Sequence, residues 1–141
     1  MKIMGLDLGS KTLGVAVSDS LGIIATPLGK WNIETNNLQD ALSCVTMLVK
    51  EHRIEKVVLG LPKNMDGSIG FQAQYTLEFQ RILEEELQLE VIMIDERLTS
   101  KMAHQTMLKA DMNRKKRKNH VDKLAATIIL QAYLDGQTNK K

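Results

Sequence analysis

Residues 2–19, KIMGLDLGSKTLGVAVSD, constrain the fold more than any other stretch of the chain. Ile3, Met4, Leu6 and Leu8, then Leu13 through Val17, form two apolar runs around a short polar turn, Gly9-Ser10-Lys11-Thr12. Alternation through Val15 and Val17 predicts an antiparallel β-hairpin. Asp7 interrupts the first strand. A carboxylate in an apolar strand is costly unless a cation, a donor or open water lies beside it. Gly5, Gly9 and Gly14 leave little bulk around it, room for a phosphate backbone to approach closely. Asp7 is therefore either the start of a functional site or a strand end that hydrogen-bonds its own turn. The hairpin alone does not choose.

A third strand over 22–31 (GIIATPLGKW), confined by Pro27 to an edge or a bend, completes a meander. Asn36-Asn37 offers a cap for a helix to about His52, whose stripe is Leu38, Ala41, Leu42, Val45, Leu48 and Val49. Residues 56–60 (KVVLG) read as a buried parallel strand stopping at Gly60-Leu61-Pro62. The polar loop 61–70 follows, and open α/β sheets bind ligands just past the C-terminal ends of such strands. A second helix is expected over 72–89 and a buried strand over 90–94 (EVIMI), ending in Asp95-Glu96-Arg97. Thr99 or Ser100 caps a helix carrying Met102, Ala103, Thr106 and Met107. A basic loop comes next, and Asn119 caps a last helix with Val121, Leu124, Ala125, Ile128, Ile129 and Ala132, stopped by Gly136. The expectation is one α/β domain over 1–141, with 136–141 a disordered tail. Its single mixed five-stranded sheet has three antiparallel strands, then two parallel ones, flanked by helices.

The 141 residues suffice for one domain with a real core. No apolar run approaches the roughly 18 residues that cross a membrane, and Asp7 stands where a signal peptide needs its apolar region. A single Cys44 and three histidines provide neither a disulfide nor a zinc site. A soluble cytoplasmic protein is expected. The net charge of +2 conceals an asymmetry: residues 109–118 carry six basic side chains and one acid, leaving 13 basic and 16 acidic residues elsewhere. The uninterrupted run Arg114, Lys115, Lys116, Arg117, Lys118 points to a polyanionic partner, or else to a solvated face.

Three carboxylates stand out by position: Asp7 in the first strand, Glu96 at the end of the last strand, and Asp122 in the first turn of the last helix. Each also has a local reading. Glu96 can pair with Arg97 or cap a helix, and Asp122 can complete a cap begun at Asn119. Brought together, they would repel and drive one another toward protonation unless a cation balanced them. Mg²⁺ suits such a set with waters and substrate phosphates, and a pair of such ions supports phosphodiester hydrolysis.

GLDLGSKTLGVAVSD, VLGLPKNMDGS, DERLTS and VDKLAATIILQAYL occur in the order of the motifs of the YqgF family, which the chain resembles over nearly its whole length. Members are Holliday junction resolvases and nucleases of the 16S ribosomal RNA precursor. The resemblance implies an RNase H-like fold and a hydrolase using Mg²⁺ or Mn²⁺, with Asp7, Glu96 and Asp122 as metal-binding triad. Asp7 would bridge two ions, while Glu96 and Asp122 each hold one. Arg97, Thr99 and Ser100 become supports or phosphate contacts, and Asn64 and Asp66 match the loop motif. Thr12 departs from a position where many members carry a basic residue, so Lys11 would have to substitute. Processing of ribosomal RNA, as a monomer or homodimer, is the first expectation and cleavage of DNA four-way junctions the second. Two other classes remain: a non-catalytic nucleic-acid binder using Arg114 to Lys118, and an ATP-binding domain whose phosphate loop is Asp7-Leu8-Gly9.

Overall fold

The computed structural model describes the backbone of residues 1–97 and 114–138, and the side chains of 1–97 and 125–137. Its elements run β1 (Ile3–Leu8), β2 (Thr12–Ser18), β3 (Ala25–Asn32), α1 (Leu38–His52), β4 (Lys56–Leu61), α2 (Phe71–Leu87), β5 (Glu90–Asp95) and α3 (Arg114–Thr138). The five strands form one sheet in the order β3-β2-β1-β4-β5. The hairpin pairs antiparallel, and β1–β4 and β4–β5 pair parallel. The mixed sheet expected from the sequence is the one found. Asn37 caps α1 as anticipated, its side chain accepting from the Asp40 N–H at 3.0 Å.

Strand alternation sorts the residues onto two faces. Met4, Leu6, Leu8, Leu13, Val15, Val57 and Leu59 pack with Ala41, Val45 and Leu48 of α1 and Phe79 and Leu83 of α2. Each buried large apolar side chain there contributes ~1.5–3 kcal/mol. Ile3, Ala16 and Val58 face the other way, against Ala126, Ile129, Leu130, Tyr133 and Leu134 of α3. Asp7 shares the odd-numbered side of β1 with Ile3 and Gly5, so it lies on the α3 face.

Gly5 has a different purpose from the phosphate approach expected of it. A Cβ there would sit 2.6 Å from Leu130 Cβ and 2.9 Å from the Ala126 carbonyl oxygen, so α3 rests directly on the strand. The direction of α3 follows from two contacts. Tyr133 Oη accepts from Lys56 Nζ at 3.1 Å, at the beginning of β4. Ile129 Cδ1 lies 2.6 Å from where a Cβ on Gly60 would be, near the end of β4. The helix therefore runs antiparallel to β1 and β4.

Two local expectations are corrected. The basic run 114–118 is not a loop before the last helix but its first turns, and Asn119 is interior to α3 rather than its cap. Arg and Lys are good helix formers, and neither Gly nor Pro interrupts 114–135, so the helix propagates through the charge run. Gly136 likewise does not stop the helix, which continues to Thr138; residues 139–141 lie outside the described ones. A Cβ at Gly136 would meet nothing within 4 Å, so no packing forces a turn there. Thr99, Ser100 and the helix expected after them lie outside the described residues. The backbone is already helical at Glu96 and Arg97. Asp95 begins that turn, its Oδ1 accepting from the Arg97 N–H at 3.0 Å. Among the described residues, no helix is long and apolar enough to cross a membrane.

Candidate active site

The acidic site is made by what the strands lack. Asp7 pairs across the sheet with Gly14. On its other side, Gly60 lies one residue beyond the Leu6–Leu59 pair. The space a Gly60 side chain would fill is taken by Glu96: an ideal Cβ would lie 2.7 Å from its Cγ and 2.8 Å from its Cδ. Glu96 starts at the end of β5, crosses over β4 at this glycine and hydrogen-bonds Asp7 on β1. In the sequence alone Gly60 reads as the end of a strand. A glycine within a β-branched and leucine run is itself the signal of close approach, and it was available.

The environment drives neighbouring acids in opposite directions. Glu96 is pushed from 4.5 up to about 9, first by burial, then by the Asp7 charge and the hydrogen bond with it, and last by Asp95. Asp95 is held below the ordinary carboxylate range, chiefly by the guanidinium of Arg97. That contact is a fork: Arg97 Nε donates to Asp95 Oδ1 at 3.1 Å and Oδ2 at 2.9 Å, and Nη2 donates to Oδ2 at 2.6 Å. Of two adjacent carboxyls, one is a fixed anion and the other carries a proton near neutrality. A carboxyl pair that shares a proton in a half-buried site offers hard oxygen ligands to a divalent cation, and the donor set fits Mg²⁺.

Other residues singled out in the sequence fall around this pair. Lys11 is exposed in the β1–β2 turn, at the same end of the sheet as Asp7. The loop after β4 folds on itself: Asp66 Oδ1 accepts from the Ser68 N–H at 2.9 Å and the Ser68 hydroxyl at 2.6 Å, and Asn64 Nδ2 donates to Ser68 Oγ at 3.0 Å. Asn64 and Asp66 thus shape the loop. Gln72 at the start of α2 donates to the Leu8 carbonyl at 3.2 Å, tying that end of the loop to β1. Asp122 belongs to α3, one turn before Ala126, and its side chain lies outside the described residues. From Ala126 to Asp122 the helix rises about 6 Å, close to the two-residue rise from Gly5 to Asp7. Arg114 to Lys118 lie one to two turns further along, about 6–12 Å beyond Asp122 along the helix. No group of three metal-ligating residues converges among the described residues.

A mixed sheet whose central strand carries an acid facing a C-terminal helix, with a second acid reaching it from the end of the edge strand two places away, defines the resolvase-like class of RNase H folds. Comparison with known proteins agrees. The family model RuvX, described as Holliday junction resolvase, matches residues 1–136, and the chain belongs to that family, also called YqgF. It is 50% identical over 140 residues to a protein of Natranaerobius thermophilus named "Putative pre-16S rRNA nuclease", covering 99% of this chain and 98% of the relative. A Clostridium tetani protein of the same name is 47% identical over 140 residues, covering 99% and 100%. Among solved structures, RuvC of Thermus thermophilus in complex with a Holliday junction substrate superposes with a TM-score of 0.63 at 16% identity, covering 99% of this chain and 96% of that one.

Proposed function

We propose that the protein is a divalent-metal-dependent nuclease of the cytoplasm that hydrolyses phosphodiester bonds in the precursor of 16S ribosomal RNA. The observation that carries this reading is the Asp7–Glu96 carboxyl pair, built across the glycine gap at Gly60 on the α3 face. A stable fold has no need to hold two carboxyls against each other in a half-buried site. A catalytic one does. The name borne by full-length relatives near 50% identity supports the substrate.

In this reading Asp7 and Glu96, with Asp122 from α3, hold Mg²⁺ or Mn²⁺. Bound there, the ion polarises the phosphate, lowers the pKa of an attacking water and stabilises the leaving oxygen. The protein's own residues do the rest. Asp7 is fixed by β1 in the middle of the sheet, and Glu96 is directed onto it over Gly60. Thr99 and Ser100 remain proposed supports beside Glu96. Lys11 at the hairpin turn and Arg114 to Lys118 in the first turns of α3 would draw the polyanion to the acidic end of the sheet. The family description and the RuvC likeness favour a second reading, cleavage of DNA four-way junctions, in which a symmetric homodimer makes paired cuts. The processing reading is compatible with a monomer.

The test is cleavage by the purified protein, in Mg²⁺ and in Mn²⁺, of labelled precursor ribosomal RNA, unrelated single-stranded RNA and a DNA four-way junction, with Asp7→Asn alongside. Metal-dependent cutting of the precursor, lost in Asp7→Asn, is the expected result. Preferred cutting of the junction moves the assignment to the second reading. Salt-sensitive binding with no cutting of any substrate leaves a binding protein.

A further inference from the structure

Beside Glu96 opens a cleft of about 250 Å³ lined by Pro62, Lys63, Met65, Glu96 and Arg97. It holds two cations, and the sequence motif drew attention only to Arg97. Their bonding is unlike. Arg97 gives Nε and Nη2 to Asp95, and Nη1 reaches the Met65 carbonyl at 3.4 Å across 32 residues of sequence. The loop is shaped around that guanidinium. Gly67 adopts φ +88°, a left-handed backbone that favours glycine, and a Cβ there would lie 3.3 Å from Arg97 Nη1. With Gly67 N–H on the Asn64 carbonyl at 2.8 Å and Asn64 N–H on the Ser68 carbonyl at 3.0 Å, the loop is a closed turn. Arg97 braces it to the strand end that carries Glu96.

Lys63 lies on the near side of the same turn. Its backbone N–H is held by the Leu61 carbonyl at 3.0 Å. Its ammonium has no hydrogen bond or ion pair among the described residues, and the acid that feels its charge, Asp95, is already engaged by the Arg97 fork. A half-buried lysine whose ammonium no described residue engages, in the cleft beside the acidic pair, is positioned to meet a phosphate. A guanidinium spent on an aspartate and a carbonyl is not.

We propose that Lys63, rather than Arg97, contacts a backbone phosphate flanking the scissile one, and that Arg97 is a positioning residue that fixes the strand end bearing Glu96 against the Met65 side of the loop, while Lys63 is held independently through its N–H on the Leu61 carbonyl. This rests on the acidic pair being the cleaving site of a nucleic-acid substrate. It gives the two cations separable signatures, because a phosphate contact enters the salt dependence of binding and a brace does not.

The experiment measures binding of a fluorescein-labelled single-stranded RNA oligonucleotide to the full chain by anisotropy, in EDTA and across a NaCl series. Mg²⁺-dependent cleavage of labelled precursor ribosomal RNA is measured in parallel. Lys63→Met is expected to weaken binding several-fold, raise KM and hold kcat, and to reduce the log–log salt slope by about 0.7, the value of one single-strand phosphate contact. Arg97→Ala is expected to keep the slope and lose kcat. Asp95→Asn, which loosens the same brace without deleting a cation, reproduces that defect, and Arg97→Lys, lacking the fork, does not rescue it. An unchanged slope in Lys63→Met, or a slope that falls in Arg97→Ala but not in Asp95→Asn, overturns the division. Thermal melts of each variant separate loss of fold from loss of contact. Binding is read without cleavage, so a silent cleavage assay counts against the nuclease site while the salt slopes still decide Lys63 and Arg97.

Discussion

The two faces of this one sheet are built to opposite specifications. Toward α1 and α2 the strands present Met4, Leu6, Leu8, Leu13, Val15, Val57 and Leu59, large side chains interlocked with Phe79 and Leu83. Toward α3 the same strands present Gly5, Asp7, Gly14, Ala16 and Gly60 among few bulky residues. Because successive residues alternate sides, one strand can serve a dense core with its even positions and a site with its odd ones. Chemistry is confined to the face that α3 covers. The packed face supplies the stability that lets the other face be stripped of bulk, so that a helix can lie on the backbone and two carboxyls can touch.

The comparison is broken most severely from the packed side. Phe79→Ala removes a fully buried ring and should cost about 3–5 kcal/mol of unfolding free energy. Denaturant titration measures that loss, and cleavage per folded molecule should be unchanged. Asp7→Asn is the converse. Cleavage should fall by more than about 100-fold, the upper range for losing outer-shell support of a metal site, with the denaturation midpoint preserved or raised. Should Phe79→Ala reduce cleavage per folded molecule as much as Asp7→Asn, the faces would not be separable.

Gly60→Ala tests the gap itself. An added Cβ meets Glu96 and Ile129 inside 3 Å, so overpacking should cost about 1–3 kcal/mol. The displaced Glu96 should take cleavage down with it, whereas Gly136→Ala on the open side of α3 should leave cleavage intact. Circular dichroism melts with parallel cleavage rates check both.

A further effect is on the pH dependence of stability. Glu96 in the folded chain titrates near 9 against an ordinary 4.5. Between those values the folded state therefore holds a proton that the unfolded state releases, and stability falls as pH rises. Metal-free protein should melt lower at pH 8.5 than at pH 6, each kcal/mol shifting the midpoint by about 2–4 °C. Mg²⁺ should recover the difference at the higher pH, and Asp7→Asn should flatten the metal-free slope by removing the opposing charge. A melting temperature in EDTA that is flat from pH 6 to 8.5 would contradict a shared proton at this pair.

Much was legible along the chain because it was local. The period-2 runs of β1 and β2, the continuous apolar runs of β4 and β5, the Asn37 cap and the stripe of α1 are all written within a few residues. Asp7 announced itself as a charge in an apolar strand. Where local signals misled, a neighbour decided. The charge run at 114–118 reads as a breaker only if helix propensity is ignored.

Alternation, the five strands and the identity of the acids are properties of the chain read residue by residue. The tertiary structure decided that Asp7 faces α3, that Gly5 exists to admit Leu130, and that Gly60 exists to admit Glu96. It also decided that Arg97 is committed to Asp95, while the Lys63 ammonium has no such partner among the described residues. Periodicity and capping are properties of neighbouring residues, whose side chains meet through the geometry of one element. Asp7, Gly60 and Glu96 are brought together only when β1, β4 and β5 pair in register, and that register is set by the burial of the opposite face.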